Sequence, residues 1–280
     1  MISVIITAYN RMEFLDESLD SLQNQTINDF EVVLISNFEY NFKNYKFKIN
    51  HIIMEGNVGS YLYRGIEESM GDIISFLDDD DLFLENKLKY IEKKFADNKI
   101  IYIHNKPIFI DINKKNKYKK KFVPPDFNMS CISIRKKIII PYINYLKNLY
   151  TGPDTFFYAL SLCSNGRILN DNEYLSYYRY HNINISSIKS NEKWLIDDLK
   201  NSEFMIKIFN CKKSYQYLNR IIMANKLKLF ILFNYDIKKP RNLGEYIIYL
   251  ELSLYYFYDY IIAGNKSLKN FIYKLLKFFV

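Results

Sequence analysis

The stretch Ile73-Ile74-Ser75-Phe76-Leu77-Asp78-Asp79-Asp80-Asp81 constrains the fold more than any other part of the chain. Its short apolar run, β-branched and aromatic and preceded by Gly71, reads as a buried strand. The run ends in four adjacent carboxylates, which repel one another and are costly at a strand end without a positive partner. Mg²⁺ and Mn²⁺ favour such hard oxygen ligands. In open α/β sheets, ligands bind outside the carboxyl ends of the strands. The expectation is a metal site at the mouth of a parallel sheet. A plainer reading applies to Asp81 alone: the following residues 82–88 look like the start of a helix, amphipathic over 84–98, and an Asp there can serve as N-cap.

The preceding residues support the sheet. Apolar strands are expected over 3–7, 31–35, 51–54 and 72–77, with helical spacing over 13–25 and from Asn57 to Gly71. This β-α-β-β-α-β order predicts a nucleotide-binding α/β half over 1–98, built on a parallel sheet with right-handed crossovers. Further strands are expected over 100–103, 107–112, 118–123 and 129–135, a helix over 154–164 and an extended segment over 173–180. The two strands at 107–112 and 118–123 flank a basic hairpin tip at 113–117. From about residue 191 the pattern changes to long helices, over 192–209, 214–233, 243–262 and 267–279.

The chain of 280 residues is 49% hydrophobic, enough for a sizeable core, and carries a formal net charge of +8. That charge points to an anionic partner: a nucleotide diphosphate, a lipid phosphate or a membrane surface, with nucleic acid the weaker candidate. The 26 tyrosines and 21 phenylalanines suit stacking on sugars or bases, although the composition is rich in Lys, Ile, Asn and Tyr throughout. Cys131, Cys163 and Cys211 are scattered, which argues against a zinc site or disulfide framework and fits a reducing, cytoplasmic compartment. The N-terminus runs straight into a strand without a basic leader. The most apolar long segment, 247–263, is interrupted by Glu251 and Asp259, so a spanning helix is not expected.

Several motifs in this order resemble the family 2 glycosyltransferases with the GT-A fold. The opening Ser3-Val4-Ile5-Ile6-Thr7-Ala8-Tyr9-Asn10-Arg11 is similar to the family's start, as are Leu22-Gln23-Asn24-Gln25-Thr26 and Phe30-Glu31-Val32-Val33. Asn57-Val58-Gly59, Gly65-Ile66 and the run from Gly71 to Asp81 look like its approach to a metal-binding DXD motif. Pro153-Asp154-Thr155 resembles the motif carrying the catalytic base. Tyr178-Arg179-Tyr180-His181 with Asn184-Ile185-Ser186 resembles a segment near the end of the catalytic domain.

The resemblance covers roughly 1–188. It implies a GT-A-type, Rossmann-like, mostly parallel mixed sheet flanked by helices, with an acceptor-side half over 99–188 and a helical region over 189–280. It further implies sugar transfer, usually with inversion, from a nucleotide-diphosphate sugar to a glycan, lipid-linked or other hydroxyl acceptor, with Mn²⁺ or Mg²⁺. On this resemblance Thr7, Ala8, Tyr9, Ser36, Asn57, Arg64, Asp78 and Asp79 are the expected nucleotide-sugar contacts. Asp80, Asp78 and His181 are the expected metal ligands, and Asp154 is the expected base. Asp154 at a helix start can also be read as an N-cap. Arg179 reads as a salt-bridge or phosphate contact. Extended geometry would place Asp78 and Asp80 on one side and Asp79 on the other.

The sequence also departs from the family pattern. The second strand ends Ile35-Ser36-Asn37-Phe38-Glu39 where relatives carry an Asp-rich turn, which leaves base recognition to Ser36 or Asn37. A sugar nucleotidyltransferase is the competing enzyme class, but Ala8-Tyr9-Asn10-Arg11 lacks the Gly-rich loop such an enzyme needs. A non-catalytic relative that binds sugar nucleotide or glycan is the other alternative, and the retention of both the acidic run and Asp154 speaks against it. The segment 267–279 is a basic amphipathic pattern suited to the anionic inner membrane surface, or to covering the catalytic domain or a dimer partner. Nucleic-acid binding on the basic hairpin is a further reading, with a solvated loop as the plainer one.

Overall fold

The computed structural model describes residues 1–253 except 114, 181–191, 234, 237–239, 241, 243 and 246. Contacts divide the chain into two compact units, Met1–Asn184 and Ile185–Val280.

The first unit is built on a nine-stranded mixed sheet. Its first four long strands are β1 (Ile2–Ala8), β2 (Phe30–Ser36), β3 (Ile49–Ile53) and β4 (Ile73–Asp78), in spatial order β3-β2-β1-β4 and all parallel. β2 is buried along its whole length and β1 nearly so, as expected of strands covered on both faces. Helix α1 (Leu15–Gln23) turns Leu15, Leu19 and Leu22 onto β1 and β2. Helix α2 (Val58–Glu68) is capped by Asn57, whose Oδ1 accepts from Ser60 N at 2.7 Å.

The chain then departs from the sequence reading. After β4 comes a two-residue strand, β5 (Leu82–Phe83), and helix α3 starts only at Lys87 and runs to Phe95, with Asn86 in the N-cap position. Asp81 is therefore not a helix cap. The strands expected over 100–103 and 107–112 are one strand, β6 (Ile100–Asp111). Pro107 is tolerated inside it because the pairing with the last strand shifts register at His104/Lys106 and Lys106/Pro107, so the missing N–H falls at an irregularity. β7 (Lys117–Lys119) pairs with β6 alone. The strand expected over 129–135 begins as a 3-10 turn (Met129–Cys131) before β8 (Ile132–Arg135).

Short helix α4 (Lys136–Ile139) and a 3-10 segment (Ile140–Asn148) lead to helix α5 (Pro153–Cys163), then β9 (Arg167–Tyr180). β8 joins β4 and β6 antiparallel, β9 runs parallel to β6, and β5 pairs antiparallel with β9. The second unit contains α6 (Glu192–Ile208) and α7 (Lys212–Phe233). A buried bond from Asn225 Nδ2 to Asp198 Oδ2 (2.6 Å) links them. Met223, Leu227 and Ile231 of α7 pack with Tyr249. The expected helix at 267–279 lies outside the described residues, as does His181.

Candidate active site

β1 and β4 are in register at Thr7 and Asp78, and β1 and β2 at Ala8 and Ser36. The chain leaves β1 toward β2 on one side, while β4 lies on the other, so a crevice opens between the carboxyl ends of β1 and β4. Thr7, Tyr9 and the acidic run all reach this end. Thr7 is half-buried and Ala8 fully buried. Tyr9 is 55% exposed, with its ring edge-on to Tyr61 at 6.2 Å.

The four aspartates have separate surroundings. The backbone turns after Asp78, with Asp81 N donating to Asp78 O at 3.1 Å. That turn overrides the expected alternation, because both Asp79 and Asp80 meet Arg11. The guanidinium donates to both carboxylate oxygens of Asp79 and lies 2.7 Å from Asp80 Oδ2. Burial works against the Arg11 cation, but its bond to Asp79 and the charges of Asp79, Asp80 and Asp78 outweigh it and hold the group more firmly protonated than usual. Burial pushes Asp79 up to about 6, and Arg11 offsets part of that push.

Asp81 is fully buried, and burial with the charge of Asp80 pushes it up to about 8. It accepts from Arg179 N (2.9 Å) and Asn128 Nδ2 (2.9 Å). Asp78 receives Asn128 Nδ2 at 3.2 Å, and no cation meets it among the described residues. Burial, then the charges of Asp81, Asp80, Asp79 and Asp154, raise it well above the ordinary range.

The turn is held from behind. Arg179 is completely buried over the Phe14 ring. Its Nε donates to Asp80 O (2.8 Å), Nη1 to Ile112 O (3.3 Å) and Nη2 to Glu17 (2.6 Å). It braces the turn rather than reaching for a phosphate, with charge-assisted bonds of about 1.5–3 kcal/mol each. Ser18 of α1 donates to Asp81 O at 2.7 Å. Ser130 Oγ accepts from Asp78 N (2.9 Å), and its carbonyl accepts from Lys87 Nζ (2.5 Å). Lys87 is fully buried without a salt bridge among the described residues, and burial lowers its pKa to about 7.

Asp154 approaches from α5. Gly152, in the left-handed region at φ 65°, takes the N-cap position and Pro153 the first helical one, so Asp154 is not the cap. Its Oδ1 accepts from Thr155 N at 2.9 Å. One turn later Phe157 stacks on Phe76 of β4, with centroids 4.7 Å apart. This packing fixes the start of α5 near the end of β4, close enough for the Asp154 charge to help raise Asp78.

Three expected contacts are committed elsewhere. Ser36 is fully buried and bonds Phe38 O and His51 Nε2, each at 2.7 Å. Asn57 caps α2 and donates to Lys147 O at 3.0 Å. Arg64 pairs with Glu67 (2.8 Å) and Glu68 (2.5 Å) on its own helix. Directly after β2 comes the half-buried Asn37. Its amide interlocks with Asn10, donating to Asn10 Oδ1 at 2.6 Å and accepting Asn10 N at 2.9 Å. Asn10 itself has φ 53°.

Among the described residues, no three His, Cys, Asp or Glu side chains converge on a ready-made metal cage. Mg²⁺-type sites that bind nucleotide phosphates commonly use only one or two carboxylates, with the phosphates completing the shell. A half-buried, cation-free Asp78 beside Asp80 fits that kind of site.

Comparison with known proteins agrees with this geometry. The glycosyl transferase family 2 model matches residues 3–163. An uncharacterized glycosyltransferase of Haemophilus influenzae is 24% identical over 280 residues, covering 89% of this chain and 94% of that protein. One of Rickettsia bellii is 34% identical over 126 residues, 42% of this chain, so the match spans only 18% of that longer protein. Among solved structures, S. aureus TarS in complex with UDP-GlcNAc superposes with a TM-score of 0.60 at 17% identity, over 90% of this chain and 79% of that one. The mannosyltransferase PcManGT from Pyrobaculum calidifontis, in complex with GDP-Man and Mn²⁺, gives 0.59 at 10% identity, over 96% and 76%. With a GT-A-type sheet and the family match running through the acidic turn to α5, the chain belongs to glycosyl transferase family 2.

Proposed function

We propose that this protein transfers a sugar from a nucleoside-diphosphate sugar to a hydroxyl-bearing glycan or lipid-linked acceptor, with inversion at the transferred carbon. The observation that carries this reading is the concentration of Asp78, Asp79 and Asp80 at the carboxyl ends of β1 and β4, with Asp154 within electrostatic reach of Asp78.

Asp80, assisted by Asp78, would hold a Mn²⁺ or Mg²⁺ ion. Bound there, the ion supplies charge neutralisation for the departing nucleoside diphosphate. PcManGT, which shares the fold, was solved with GDP-Man and Mn²⁺, and that supports the choice of ion. Thr7, Ala8 and Tyr9 line the nucleotide, and the exposed Tyr9 ring offers a stacking face for base or ribose. Asn37 is the polar group placed to meet a base edge at the end of β2. Arg11 compensates Asp79 and Asp80 in the free protein and stands beside the diphosphate position. Asp154 takes the proton from the acceptor hydroxyl as it attacks, and an inverting displacement needs that one base on the face opposite the leaving group.

The test is a panel of UDP-, GDP-, ADP- and dTDP-sugars incubated with Mn²⁺ or Mg²⁺ and hydroxyl acceptors, following release of the nucleoside diphosphate. At least one donor should be turned over. Tight donor binding without release by any acceptor class would favour a sugar-nucleotide-binding relative without transfer.

A further inference from the structure

The hairpin between β6 and β7 has a chemistry that the transfer reaction does not use. Six lysines lie between residues 114 and 121 of a chain whose net charge is +8, and no acid interrupts them. The nearest carboxylate, Asp111, is occupied in closing the tip: it accepts from Lys115 N (2.8 Å), Asn116 N (3.2 Å) and Asn116 Nδ2 (2.6 Å). Residues 115–122 are all exposed. No ion pair joins Lys115, Lys117, Lys119, Lys120 or Lys121 to a carboxylate among the described residues. Instead, Lys117, Lys119 and Lys120 stand over the rings of Tyr177, Tyr174 and Phe109 at 5.1, 4.4 and 4.5 Å.

Apolar side chains share this surface. Phe122, at 78%, is the most exposed large hydrophobic residue among those described, and Ile112 and Tyr118 of the same hairpin are exposed as well. Lysines on an edge strand guard it against pairing with other chains, which accounts for Lys117 and Lys119. It does not account for Lys120 and Lys121 beyond the strand, nor for a bare Phe122 next to them. Lysines alone would suit any polyanion. Exposed lysines on the same hairpin as an exposed phenylalanine, isoleucine and tyrosine suit a surface that is anionic outside and apolar just beneath.

We propose that the β6–β7 hairpin docks the protein on an anionic phospholipid bilayer, with Lys115 to Lys121 on the headgroups and Phe122 at the acyl boundary. The hairpin root is tied to the acidic turn, since Arg179 bonds both Ile112 O and Asp80 O. Docking would therefore hold the candidate site at the membrane surface, where lipid-linked hydroxyls are presented. No described helix is long and apolar enough to cross a membrane.

The experiment is co-sedimentation of the full-length protein with phosphatidylcholine vesicles, with and without phosphatidylglycerol. Wild type should bind the anionic vesicles only. The Lys117→Gln/Lys119→Gln/Lys120→Gln/Lys121→Gln variant should lose about fivefold in partition per lysine, about 600-fold in total. Phe122→Ser, with all charges kept, should lose about tenfold. All five positions are exposed, and unchanged circular dichroism would confirm folding. Wild-type partition by the lysine variant would overturn the proposal and place any membrane contact elsewhere in the chain. Failure of wild type to bind anionic vesicles would overturn it too. Binding to single-stranded nucleic acid that the lysines support but Phe122→Ser leaves intact, without vesicle binding, would identify a polyanion surface instead.

Discussion

Asp154→Asn should reduce turnover by on the order of a thousandfold while leaving donor affinity within about twofold, because a positioned general base commonly contributes 10²–10⁴-fold. The substitution preserves shape, and the amide oxygen can still accept the 2.9 Å bond from Thr155 N. What disappears is the ability to take a proton. The competing role for Asp154 is as an acid in the first turn of α5, complementing the helix dipole. Such a residue contributes about 0.3–1 kcal/mol to stability and nothing to chemistry. The two roles separate cleanly: single-turnover rates with the active donor collapse in one case, and only the melting temperature shifts slightly in the other. Near-normal transfer by Asp154→Asn would remove it as the base.

Asp80→Ala should weaken metal-dependent donor binding by at least on the order of a hundredfold, since loss of even outer-shell partners of a metal costs 10–100-fold. Two members of the run have duties that set them apart from this role, which leaves Asp80 together with the half-buried Asp78. Asp81 is buried beneath the turn and held by Arg179 N and Asn128. Asp79 receives both carboxylate bonds from Arg11. Asp80 is buried like Asp79, and its Oδ2 lies 2.7 Å from the Arg11 guanidinium. In the Ala variant Arg11 remains held by Asp79, so the fold should survive. Mn²⁺ titration followed by electron paramagnetic resonance, in the presence of the nucleoside diphosphate, reads the loss directly. Undiminished Mn²⁺ affinity would move the ligand to another residue.

Much of this arrangement is legible before folding, for a definite reason. Apolar runs such as 3–7, 31–35 and 73–77 have few ways to be buried, and the polar residues that end them must emerge together at one edge of the sheet. The acidic run, Thr7 and Tyr9 are found there. Local sequence fails where a tertiary partner decides the outcome. Asp81 before an apolar segment has the form of a cap, yet β5 intervenes and burial turns it into an acceptor for Arg179. Alternation along Asp78–Asp80 assumes an extended chain, whereas the turn brings Asp79 and Asp80 to the same guanidinium.

Arg11 reaches Asp79 across 68 positions of sequence. Its one visible sign is that it is the first cation after β1. Asn128 precedes and Ser130 lies within a 3-10 turn that the sequence reads as strand, so nothing in the sequence announces that they hold Asp78 and Asp81. Ser36, Asn57 and Arg64 are expected as donor contacts, but a backbone carbonyl, a helix end and two glutamates engage them.

The turn at Asp78–Asp80 should bind a divalent cation together with the donor diphosphate. Calorimetric titration of wild-type protein with the donor identified by the panel, in Mn²⁺ and again in excess EDTA, addresses it without requiring turnover. The expected result is saturable binding in Mn²⁺ that weakens at least tenfold in EDTA and recovers when the ion is restored. Equal donor affinity in both conditions would contradict it.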